Sequence, residues 1–104
     1  MMIIVTTPTV ANKKIVEECG LVTSSIVQSR HIGKDLISGL KSIIGGELKS
    51  YTEMLDESKR TAKEQMIQEA MAAGANAIVG FRFALTSSQG TSELIAYGTS
   101  VIIE

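Results

Sequence analysis

The apolar positions along the chain change period several times, and each change marks an element. Ile3 to Thr7 is a short β-branched run stopped at Pro8, which predicts a strand. Residues 9–13 read as a turn. Lys14 to Ser29 is again rich in β formers, with Ile15 and Val16 before Gly20 and Leu21, Val22, Ile26 and Val27 after it. That predicts one long bent strand or two short ones, with Gly20 as the bulge or bend.

The period then becomes helical. Leu36, Ile37, Leu40, Ile43 and Ile44 recur at spacings of three and four, one face of a short helix from about Gly33 to Ile44. The pair Gly45-Gly46 is read as its end. A longer helix is predicted from about Ser50 to Ala73, opened by a capping-box pattern of Ser50 with Glu53. Its stripe of Tyr51, Met54, Leu55, Ser58, Ala62, Met66, Ala70 and Ala73 is narrow and built of small or flexible residues. Charged residues fill the other faces, with Asp56 and Arg60 placed as an i,i+4 pair.

Gly74 is read as the cap of that helix, and Ala75-Asn76 as the turn out of it. From Ala77 the period is two. Ala77, Val79, Phe81, Phe83 and Leu85 would share one strand face, and Ile78, Gly80, Arg82 and Ala84 the other. Gly80 is read as a close-packing position. Residues 86–92 form a polar connection, and Leu94 to Ile103 the last strand, antiparallel to its predecessor. The expected fold is α+β, a small mostly antiparallel β-sheet with two helices packed on one face. The second sheet face is not clearly polar, so a second copy of the chain is the economical cover for it.

A length of 104 residues fits a single domain, 1–104. A net charge of -1 argues against a general polyanion binder, and Phe81-Arg82-Phe83 is the nearest approach to an aromatic-basic platform, so no nucleic-acid partner is expected. The longest apolar runs fall far below a membrane span, so no membrane association is expected. The single cysteine, Cys19, suits a reducing compartment, and the expected location is cytoplasmic.

Candidate chemistry is sparse. No phosphate-binding or dinucleotide glycine signature is present. Cys19 and His31 are the metal-donor candidates, and one Cys with one His completes a site only if several copies contribute. His31 near Asp35 could pair a base with its orienting carboxylate, the basis for a small enzyme with an intersubunit site, but a surface pair at a helix start is favoured. The chain therefore leans towards a non-enzymatic role, with no cofactor required and a heavy-metal ion as the alternative.

The ordered set of the Gly45-Gly46 pair, Tyr51 opening a long helix, Gly74-Ala75-Asn76-Ala77-Ile78-Val79-Gly80, and Ala96-Tyr97-Gly98-Thr99-Ser100-Val101, with Ile4-Val5-Thr6-Thr7 at the start, resembles the YbjQ-like family of small uncharacterised proteins. The resemblance spans almost the whole chain and marks Gly45, Gly46, Tyr51, Gly74, Asn76, Gly80 and Gly98 as structural positions. It implies an α+β subunit assembling as a ring-shaped homopentamer, often labelled a heavy-metal-binding domain. Where family members often have a basic residue after the paired glycines, this chain has Glu47.

Overall fold

The computed structural model of the chain describes residues 1–29, 46–88 and 91–104. Its elements are β1 (Ile3–Ile4), β2 (Ile15–Ser29), α1 (Gly46–Ala72), β3 (Ala77–Ser88) and β4 (Thr91–Ile103). The strands form one sheet in the order β1-β3-β4-β2. β4 runs antiparallel to both β2 and β3, whereas β1 lies parallel to β3 through Ile3↔Ala77 and Ile4↔Ile78. The sheet is therefore mixed, which corrects the mostly antiparallel expectation. The cause is connectivity: β2 and α1 intervene between β1 and β3, and so long a connection permits parallel entry where a tight hairpin would forbid it.

Among the described residues there is one helix, α1, and not two. The short helix expected from Gly33 to Ile44 lies outside the described residues, as do His31, Asp35 and Gly45. α1 begins at Gly46, ahead of the Ser50 signal. Glu47, Leu48 and Lys49 are good helix formers and carry the helix back past that residue, so Ser50 is not the cap; Gly46 is the first described residue of the helix, and the expected helix end at Gly45-Gly46 lies at the edge of the described residues. The far end closes on Gly74, at φ +85°. The Ala75 amide donates to the Ala70 carbonyl at 3.0 Å and the Gly74 amide to the Met71 carbonyl at 3.0 Å, the paired bonds of a Schellman cap.

α1 lies over β2 and β4. Ser58, Ala62, Met66 and Ala70 recur every fourth residue and are buried. The last three pack with Val22, Ile78, Phe81 and Ala96 from the sheet. Small residues on the helix let it approach the sheet closely, and Met66 fills the space between them. Ser24 Oγ donates to Gln65 Oε1 at 2.5 Å and ties β2 to the helix flank. On the opposite face, Ala77, Val79, Val101 and Ile103 make a second buried cluster, with Ile3, Val5, Val10 and Ile15 against it. On the exposed helix surface Asp56 pairs with Lys59 at 3.3 Å, not with Arg60, and so exposed a pair contributes little.

β3 does not present one continuous face. Val79 pairs with Thr99 and Arg82 with Tyr97, so β3 carries one residue more than β4 across this interval. Gly80 sits in that bulge at φ +62°, a conformation that side-chain-bearing residues resist. The extra residue switches the alternation. Ala77 and Val79 belong to the far-side cluster, while Phe81 belongs to the helix-side cluster and Phe83 follows it, pairing with Ala96. The expected shared face from Ala77 to Leu85 is thereby corrected. A β-carbon built on Gly80 would meet nothing within 4 Å, so this glycine is needed for its dihedral and not for space. The close-packing glycine is Gly98, where a β-carbon would lie 2.8 Å from Ile78 Cγ2 and 3.2 Å from the Val79 carbonyl oxygen.

Candidate functional site

Polar side chains on the sheet mostly serve backbone groups. Asn76, in the turn after α1, donates from Nδ2 to the Ile103 carbonyl at 3.0 Å and accepts the Ile103 amide on Oδ1 at 2.7 Å. Its side chain extends the end of β4 as a strand would, while its own amide donates to the Val101 carbonyl. Ser100 Oγ donates to the Gly20 carbonyl at 2.9 Å, across the bulge in β2, and Thr23 Oγ1 donates to the Ala96 carbonyl at 3.0 Å. Arg82 donates to the carbonyls of Thr6 and Phe81 at 2.7 and 2.8 Å. Among the described residues, every buried side-chain nitrogen and oxygen has a partner.

The metal-donor candidates are not brought together. Cys19 is a free, half-buried thiol. It is the extra residue in a β2 bulge between Glu18 and Gly20, and it packs at the margin of the helix-side core. Glu17 and Glu18 pair with Ile102 and Val101, consecutive residues of β4, and so lie on opposite faces of the sheet. His31 lies outside the described residues. Among the described residues no group of three or more His, Cys, Asp or Glu side chains is placed to hold a metal ion.

The remaining candidates are structural. Gly74 and Gly80 hold positive φ, Asn76 binds Ile103, and Gly98 lies under the β3 bulge. Gly46 and Tyr51 both lie within α1. A feature absent from the sequence reading is a cavity of about 240 Å³ lined by Met1, Met2, Ile67, Met71, Ala75 and Asn76. Its walls come from the N-terminal segment and from residues 67–76, far apart along the chain, so no local spacing could have shown it.

The fold and its polar groups define a small α+β protein in which Asn76, Ser100, Thr23 and Arg82 brace the backbone of the sheet. A family profile with the description "Putative heavy-metal-binding" matches residues 2–104, and the chain belongs to that family, the YbjQ family. It is 68% identical over 103 residues to a UPF0145 protein of Bacillus velezensis, covering 99% of this chain and 93% of the relative. It is 50% identical over 101 residues to a UPF0145 protein of Vibrio parahaemolyticus, covering 96% of each. Among solved structures, a protein of unknown function from Pediococcus pentosaceus superposes with a TM-score of 0.65 at 17% identity, over 99% of this chain and 98% of that one. That likeness is one of fold. No described helix is long and apolar enough to cross a membrane.

Proposed function

We propose that the protein works as a homo-oligomer, a ring of five copies, that binds an ion or small ligand at subunit boundaries and does no catalysis. The observation that carries this reading is an apolar sheet surface left open on an extended subunit. Leu21 and Val27 are 71% and 65% exposed, and Tyr97, across from Thr23, is 41% exposed. All three lie on the face opposite α1. On the helix-side rim Phe83 and Leu85 are exposed as well, because α1 does not reach the outer half of β3. The Cα radius of gyration is 16.9 Å, with principal extents of 54 × 24 × 18 Å. A compact domain of this length has a radius near ~13 Å. The described residues thus spread a sheet that they do not themselves cover, and a second copy supplies matching apolar surface. The single free thiol suits a cytoplasmic setting.

Sedimentation of the wild-type chain at micromolar concentration, beside Leu21→Glu and Tyr97→Lys, tests the reading. The expected result is a discrete oligomer, five times the monomer mass, that the two variants dissociate without loss of far-ultraviolet circular dichroism. A wild-type monomer would sink it.

A second reading is supported by the family description: a heavy-metal ion held between copies, with Cys19 of one and His31 of another as ligands. Elemental analysis of the purified protein, with zinc, copper and nickel titrations of Cys19→Ser and His31→Ala, decides it. Stoichiometric metal lost in both variants is expected, and unchanged binding in both removes those two residues as ligands.

A further inference from the structure

We infer that the cavity between the N-terminal segment and the end of α1 is a thioether site for a soft monovalent cation, Cu(I). Three of its six described lining residues are methionines, Met1, Met2 and Met71, out of five in the chain. Core packing accounts for the others differently. Met66 is fully buried beneath the sheet and Met54 is half-buried along α1. Met1 and Met71 are exposed and fill no core, yet they rim the same cavity as the half-buried Met2.

The rest of the lining narrows the chemistry. Ile67 and Ala75 are apolar, and the side-chain amide of Asn76 is committed at both ends to Ile103. Among the described residues no carboxylate, imidazole or thiol lines the cavity, so hard or borderline cations such as Mg(II) or Zn(II) find no ligand set in them. Neutral, polarisable thioethers select Cu(I). Unbranched methionine side chains with three rotatable bonds can swing their sulfurs onto one ion. Two sulfurs come from the segment leading into β1 and the third from the last turn of α1, so an ion held there would clamp the N-terminal segment to the helix. This deepens the metal reading above, but it uses neither Cys19 nor His31 and does not depend on assembly.

The test is an anaerobic competition of the full chain against a chromophoric Cu(I) chelator, with the methionine methyl resonances followed by NMR. One equivalent of Cu(I) is expected to bind and to shift the methyls of Met1, Met2 and Met71 while leaving Met54 and Met66 in place. Met71→Leu and Met2→Leu keep side-chain volume and are each expected to weaken binding by about tenfold or more, the scale on which even supporting contacts tune metal sites. Cys19→Ser is expected to leave affinity unchanged. Thioethers carry no proton to compete with the metal, so binding should persist from about pH 8 down to about pH 5, where thiolate and imidazole ligands are lost to protonation. The inference is overturned if the chelator strips all copper from the wild type, if both leucine variants bind as the wild type does, or if Cys19→Ser abolishes binding. Sedimentation of the same samples keeps this outcome separate from the assembly reading, because Met71→Leu should retain the wild-type mass.

Discussion

Two residues show how the backbone of this sheet is held. Asn76 replaces a strand neighbour for Ile103, closing both of its backbone groups at once. Asn76→Ala should therefore destabilise the fold, but the turn is exposed enough for water to take up part of the loss. A cost of about 1 kcal/mol is expected, read as a lower urea midpoint with an unchanged slope. Gly98 is a different case, since its constraint is space. Gly98→Ala would drive a methyl against Ile78 Cγ2 and the Val79 carbonyl, and the carbonyl, as backbone, yields poorly. Overpacking of this kind costs about 1–3 kcal/mol, and a midpoint equal to wild type would refute the close approach. Glycine at these positions is visible in the sequence. Which glycine answers to space and which to dihedral is not, because the distinction lies in what the neighbouring strand places opposite.

At the scale of elements, periodicity carried the long helix and the final hairpin. Met66, Ala62 and Ala70 stand out at fourfold spacing, and all three are buried. Met66 is the largest fully buried side chain among the described residues, so Met66→Ala should cost about 2–5 kcal/mol in chemical denaturation, against near-neutral effects for the exposed Lys63. The helix start was misread because a capping box is a local preference, and Glu47 to Lys49 extend the helix regardless. The parallel pairing of β1 escaped notice because a strand two residues long has too little pattern to declare a direction. The face switch in β3 was hidden in the same way: Ala-Ile-Val-Gly-Phe-Arg-Phe alternates acceptably in either frame, and only the register against β4 reveals the bulge.

For the whole molecule, an apolar sheet surface left open was legible in a general form, as a sheet with too few polar residues for two wet faces. Which of the two faces stays open was not: Ile78, Ala96 and Gly98 face the helix or its buried layer, while Leu21, Val27 and Tyr97 are left open. If five copies close on that surface, small-angle scattering should give a radius of gyration well above the 16.9 Å of one subunit, and Leu21→Glu should bring it back to that value. The candidate metal chemistry was legible only as isolated donor types. Cys19 and His31 are visible in any reading of the chain, whereas the thioether cavity needs the N-terminus and residue 71 to meet in space.

The bulge at Gly80 acts on β3 as a frameshift acts on a message. Upstream of it, side chains are addressed to one interior; downstream, the same alternation is delivered to the other. One strand can thus stitch two cores together without a break in the sheet. The hairpin is consequently not a portable module. If a side-chain-bearing residue replaced Gly80 and the bulge flattened with the residue count unchanged, Phe81 and Phe83 would be delivered to the side where Arg82 now stands.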